Sequence, residues 1–152
     1  MGMAVANLYH FLPLTSLMMT HALYGYGLEP SQSLQNEIVR YIINSAELDN
    51  IVQQCKINAE GDRFYFSSRD IEFDSTADLF LSIHKAIINV NGWKGQNGLW
   101  SIYVMVFDTY DFAVIAKSGL TAYINNYAFI LQESGALIPY KWRVTFSYKE
   151  PA

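Results

Sequence analysis

The sequence predicts an α+β fold in a single domain over residues 1–152: N-terminal helices, then a mainly antiparallel sheet or small open β-barrel, with one further helix near residues 120–134. Three observations predict it. Apolar residues recur at helical spacing from Leu14 to Cys55, whereas from Arg63 onward a period of two takes over, broken at glycine and Asn-Gly turns. The composition is 51% hydrophobic, 15% aromatic and only 16% charged, against an ordinary charged fraction of about 25%, which excludes a disordered tail or linker. A length of 152 residues fits one domain and lets it bury roughly 68–70% of its unfolded surface without a staple.

In chain order, Pro13 suits a first helical turn, Leu14, Leu17, Met18, His21 and Ala22 follow at helical spacing, and Gly25 and Gly27 end the segment. A second helix over about 33–46 is capped by Ser31 or Ser33 and carries Leu34, Ile38, Tyr41, Ile42 and Ser45 on one face. Asp49 caps a short third helix with Ile51, Val52 and Cys55. Gly61-Asp62 makes a turn, and strands are expected over Arg63–Ser67 and around Ile71 and Phe73. Ser75 with Asp78 three residues on fits a capping box for a short helix through Ile83. Ala86 to Val90 is a strand ending at Asn91-Gly92. Leu99 to Phe107, apolar on both faces, is read as a central strand covered on both sides. Leu120, Ile124, Tyr127, Ala128 and Leu131 keep helical spacing up to a glycine cap at Gly135. The chain closes on a strand from Lys141 to Tyr148, with Trp142, Val144, Phe146 and Tyr148 inward.

Several functions are excluded or disfavoured. The net charge of −4 and pI near 5.2 oppose nucleic-acid binding, which needs a basic face. One cysteine allows neither an internal disulfide nor a zinc knuckle. Cys55 lies on an apolar helix face with only Lys56 near it and reads as a small buried hydrophobe rather than a nucleophile. No phosphate-cradling glycine motif, HExxH or serine-hydrolase elbow occurs. His10 and His21 read as satisfied residues of an apolar helix rather than ligands or bases. Residues 1–28 contain no Asp, Glu, Lys or Arg. They lack the basic start of a secretory signal and are too interrupted by polar residues for a membrane span, so the expected location as synthesised is cytoplasmic. That uncharged segment is the natural place for contact with a membrane or a lipid-linked substrate, or with a protein partner.

One segment carries chemistry. If the alternation of Trp100, Ile102, Val104 and Val106 continues, Asp108 and Tyr110 project to the same covered face, and a turn brings Asp111 back towards Asp108. A buried carboxylate must be paired, bind a metal or keep its proton. Two convergent carboxylates hold a hard divalent ion, and Tyr110 then donates to a phosphate oxygen. The same Asp-x-x-Asp spacing also serves simply to tie off a turn through side-chain hydrogen bonds.

The run Trp100 to Phe112, ending in Asp108-Thr109-Tyr110-Asp111-Phe112, resembles the catalytic segment of the colicin M family. That resemblance implies a small α/β protein built around an open β-barrel. It also implies magnesium-dependent cleavage of the lipid-linked peptidoglycan precursor, between its polyprenyl chain and its pyrophosphate. The family's motif is Asp-x-Tyr-Asp followed by His-Arg; Asp108, Tyr110 and Asp111 match, whereas Lys117 stands at the His position and Ser118 at the Arg position. A lysine replaces an imidazole as a base near neutrality only if its pKa falls several units.

Two readings follow. The first is a non-catalytic interaction domain of a bacterial or phage system with a colicin M-like fold, needing no cofactor and working with a protein partner or as a homo-oligomer. It is favoured by the aromatic, charge-poor composition and the missing His-Arg pair. The alternative is a colicin M-like hydrolase with Asp108, Tyr110, Asp111 and Lys117 catalytic, and Mg2+ held by Asp108 and Asp111.

Overall fold

Pro13, Ser31 and Ser45 each stand where a helix begins. In the computed structural model, which describes residues 10–116 and 118–152, they open α1 (Pro13–Tyr24), α2 (Gln32–Ile43) and α3 (Ala46–Ile57). Pro13 occupies the first turn, where its missing N–H leaves no bond unmade. The Ser31 and Ser45 hydroxyls accept from Leu34 N–H at 3.3 Å and Leu48 N–H at 3.2 Å. The third helix therefore starts at Ser45 rather than Asp49, because a serine cap one turn earlier satisfies a first-turn donor and leaves Glu47 and Asp49 to face the helix dipole.

The strands β1 (Arg63–Phe73), β2 (His84–Lys94), β3 (Leu99–Tyr110) and β4 (Tyr140–Pro151) form one antiparallel sheet in the order β1-β2-β3-β4. Between β1 and β2 lies the short helix α4 (Ala77–Ser82), and between β3 and β4 lies α5 (Leu120–Glu133). The expected strands at 63–67 and around 71–73 are one strand with a register shift between Ser68 and Ile71; Arg69 and Asp70 together oppose the single residue Ile87, and the one extra residue is absorbed as a bulge. β2 does not stop at Asn91-Gly92 but runs on to Lys94. Gly92 serves packing instead, since a Cβ there would lie within the Phe64 ring, which rests against Trp100 with centroids 5.3 Å apart.

Alternation decides what the sheet buries. Ala86, Ile88 and Val90 of β2, Ile102, Val104 and Val106 of β3, and Trp142 and Val144 of β4 point to the helices and are buried. With them sit Leu14, Met18 and Ala22 of α1, Ile38 and Ile42 of α2, and Leu48 and Val52 of α3. Thr15 and Ser16 are buried as well, so α1 is enclosed on most sides, as a helix with little amphipathic contrast must be. Tyr140 anchors it: the Tyr140 hydroxyl donates to Met18 O at 3.0 Å, and the His21 ring stands edge-on to Tyr140 at 4.5 Å. His21 Nε2 also lies 2.8 Å from Leu28 O, which places it as a satisfied packing residue. No helix among the described residues is long and apolar enough to cross a membrane.

Two expectations are corrected here. The outer face of β3 is not covered: Tyr103 is exposed and Met105 and Phe107 are only half-buried, because the helices pack against the other face alone. The Ser75–Asp78 capping box does not form; Thr76 caps α4 through Leu79 N–H at 3.1 Å. Asp78 is drawn instead to α1, where its carboxylate accepts Leu14 N–H at 3.0 Å, Thr15 N–H at 2.8 Å and the Thr15 hydroxyl at 2.7 Å. It thus caps a helix distant in sequence and satisfies donors that have no partner within their own helix.

Candidate functional site

The inward parity of β3 carries Trp100, Ile102, Val104 and Val106 and continues through Asp108 to Tyr110. Tyr110 is buried, its ring tilted against Tyr140 at 5.2 Å and edge-on to Phe112 at 5.1 Å. Its hydroxyl is buried without a hydrogen-bond partner among the described residues, and burial, reinforced by the Asp78 charge, raises its proton affinity far above that of an ordinary phenol. The tyrosine therefore pins the strand end into the core.

Beyond Tyr110 the chain leaves the sheet as the apolar loop from Phe112 to Ala116, and α5 fixes that loop with side-chain amides. Gln132 exchanges two bonds with the Phe112 backbone, at 2.9 and 3.2 Å, and Asn126 does the same with Ile115 at 3.0 and 3.2 Å. Asn125 donates to Ala113 O at 2.7 Å. A helix rich in asparagine and glutamine at this place in the sequence holds in position a loop with no ladder of its own.

Asp108 and Asp111 line one cavity of about 150 Å³ with His84, Lys85, Tyr110 and Asn125. Burial raises the Asp108 carboxyl above the usual carboxylate range, and the charge of Asp111 raises it further, against an opposing hydrogen bond from the Thr109 backbone. Asp111, at the rim, is raised by desolvation. Two partly desolvated carboxylates in one cleft, one of them raised further by the charge of the other, are an arrangement in which a cation or a shared proton is stabilising. A second cleft of about 560 Å³ shares Phe80, His84, Lys85 and Ile115 with the first and extends it towards Glu72 and Thr121.

Sequence reasoning missed His84 and Lys85. His84 follows α4 directly and holds a left-handed backbone, φ +52°, uncommon for a residue with a Cβ though less so for histidine. Its ring lies 4.3 Å from that of Phe80, and Lys85 Nζ lies 3.3 Å from Glu72 Oε1. A signal existed: in an antiparallel pair the start of β2 must meet the end of β3, so the residues before Ala86 belong beside those after Phe107. Lys117 lies outside the described residues.

Among the described residues no group of three or more His, Cys, Asp or Glu side chains is placed to hold a metal ion. The donor set does not fit a zinc cage. It fits magnesium, which is commonly held by one or two carboxylates together with substrate phosphates.

No protein-family model and no curated protein matches the chain. Among solved structures, PaeM, a colicin M-like bacteriocin produced by Pseudomonas aeruginosa, is similar with a TM-score of 0.43 at 13% identity, over 91% of this chain and 51% of that one. Pectocin M2 is similar with a TM-score of 0.44 at 20% identity, over 93% of this chain and 50% of that one. The chain thus spans about half the length of the structures it resembles.

Proposed function

We propose that the chain is a metal-assisted hydrolase of a phosphoester or pyrophosphate, working through the cleft at the end of β3. One observation carries this: His84, Lys85, Asp108 and Asp111, from two strands and a loop, line the same cavity. Its volume of about 150 Å³ corresponds to a few waters at about 30 Å³ each, enough for a phosphate group but not for a lipid or sugar. The bulk of a substrate then lies in the adjoining cleft or outside.

Each side chain has a task its chemistry allows. Asp108 and Asp111 would hold magnesium together with the phosphate, and the ion would supply neutralisation of charge on the phosphoryl oxygens. His84 supplies the imidazole that Lys117 cannot, holding or moving a proton at the attacking or leaving oxygen. Lys85 adds a point charge at the phosphate. The resemblance of the 108–112 segment to the colicin M family supports a lipid-linked peptidoglycan precursor as substrate. The test is incubation of the protein with that precursor and magnesium, followed by detection of free polyprenol. Release is expected, and is lost in Asp111→Asn and His84→Ala with unchanged circular dichroism. No release at high protein concentration removes the cleft from catalysis.

A second reading, a non-catalytic interaction domain, is favoured by α5. Leu120, Tyr123, Tyr127 and Ile130 are exposed along one side of that helix, and Tyr123 and Tyr127 stack on each other. Contiguous exposed apolar side chains are the mark of a partner or of self-association. Light scattering decides it: a strict monomer that captures no partner counts against this reading.

A further inference from the structure

The uncovered face of the sheet carries its own site, which shares no lining residue with the cleft described above. The antiparallel register aligns Tyr65, Asn91 and Tyr103 in one row across β1, β2 and β3, and Arg63, Trp93 and Ser101 in the next. Strands lie about 4.8 Å apart and same-face residues about 6.8 Å apart along a strand. The Cα atoms of the three aromatic residues therefore form a triangle, with Tyr65 and Tyr103 roughly 9.6 Å apart and Trp93 one row on between them.

These rings are not covered by the fold: Tyr65 is 68%, Trp93 60% and Tyr103 62% exposed. A lone exposed aromatic needs no explanation, but three converging on a rigid sheet do. They border a groove of about 780 Å³, within the range of about 300–1,000 Å³ typical of ligand sites. Its polar lining comes from Asn58 and Glu60, just before β1, and from Arg63, Asn91 and Ser101. Among the described residues Glu60 and Arg63 form no side-chain ion pair.

The lining selects the ligand. One cation and one anion leave the groove without net charge, so it offers nothing to a polyanion, and a chain of charge −4 offers less. A concave floor with polar groups at several points does not suit a bilayer, which takes a convex apolar surface. A peptide strand would add to the free edge of β1 rather than lie over its face. What remains is a ligand with apolar faces for the rings and closely spaced hydroxyls for amide, guanidinium and carboxylate groups, each of which can make paired hydrogen bonds.

We propose that this groove binds a neutral oligosaccharide, with a pyranose ring stacked on Trp93, neighbouring units against Tyr65 and Tyr103, and hydroxyls bonded by Asn91, Arg63 and Glu60. Trp100 and Trp142 are buried, so Trp93 is the indole whose emission answers to a ligand on this face. Cellotetraose, maltotetraose and chitotetraose are titrated up to about 10 mM, the range of weak single-site binding, and read by tryptophan emission and calorimetry. At least one gives a saturable blue shift. Trp93→Ala and Tyr103→Ala weaken binding at least about tenfold by calorimetry, whereas Lys141→Ala, on the outer face of β4, leaves it unchanged. All three residues are exposed, so the variants keep the parent's circular dichroism. Three outcomes overturn the proposal: no saturable response to any of the sugars, binding that survives Trp93→Ala, or a dimer that Trp93→Ala dissolves, which makes a second copy of this chain the occupant.

Discussion

Replacing Asp78 by alanine tests the packing of α1 against α4 more sharply than any deletion in the apolar core. The carboxylate is 9% exposed and accepts three donors, Leu14 N–H at 3.0 Å, Thr15 N–H at 2.8 Å and the Thr15 hydroxyl at 2.7 Å. Removing it strands the first-turn amides of Leu14 and Thr15, both fully buried, whereas the Thr15 hydroxyl keeps the Asp78 backbone carbonyl at 3.1 Å as an acceptor. Hydrogen bonds to a charged acceptor contribute about 1.5–3 kcal/mol each, and loss of a helix cap alone costs about 0.5–2 kcal/mol. Because the three share one acceptor and are not additive, the expected loss is about 3–5 kcal/mol. Against a total stability of about 5–15 kcal/mol, that moves the urea midpoint down by at least about 1 M for m-values of about 1–3 kcal/mol/M. Asp78→Asn keeps the volume and one acceptor but turns an amide donor towards a backbone N–H, and should lose about half as much. The assay is urea unfolding followed by fluorescence of the buried Trp100 and Trp142, with m unchanged. A loss below about 1 kcal/mol for Asp78→Ala refutes the capping role.

Three further outcomes are expected. Asp108→Asn raises the melting temperature at neutral pH. The carboxyl's pKa lies above its unfolded value, so its charge opposes folding at pH above the folded pKa, and the variant's advantage vanishes as pH falls below the unfolded value. Melting followed from neutral to acidic pH checks this, and a destabilised variant at pH 7 contradicts it. Gly92→Ala forces a methyl into the Phe64 ring and should cost about 1–3 kcal/mol by overpacking, measured by denaturant titration and absent if Phe64 moves freely. Cys55, half-buried rather than the buried hydrophobe its spacing suggests, has its thiol pKa pushed up by desolvation and alkylates with iodoacetamide more slowly than free cysteine at the same pH; an equal or faster rate contradicts that desolvation.

The fold was legible where a residue's role is decided by its near neighbours. The Ser31 cap, the glycine after α5 and the alternation of Trp142, Val144, Phe146 and Tyr148 are set by positions a turn or a pleat apart. Asp78 shows the opposite case. Its spacing from Ser75 offers a local capping box, yet donors 63 and 64 residues away take the carboxylate, and no local pattern records that competition. The apolar outer face of β3 misled for a related reason, because Tyr103, Met105 and Phe107 look like core by composition while no helix is left to cover them. In the cleft, the inner-face parity of Asp108 could be counted along β3. His84 could not be found by counting, since it reaches the cavity only through the pairing of β2 with β3.

The central claim is that His84, Lys85, Asp108 and Asp111 act as one phosphate site. The most direct measurement is a titration of 15N-labelled protein with inorganic pyrophosphate and magnesium, followed by amide shifts. The account predicts saturable changes at residues 84–85, 108–113 and 125, abolished by Asp108→Asn. No shifts in these segments, or shifts that persist in that variant, contradict it and leave Asp108 and Asp111 as the residues of a turn.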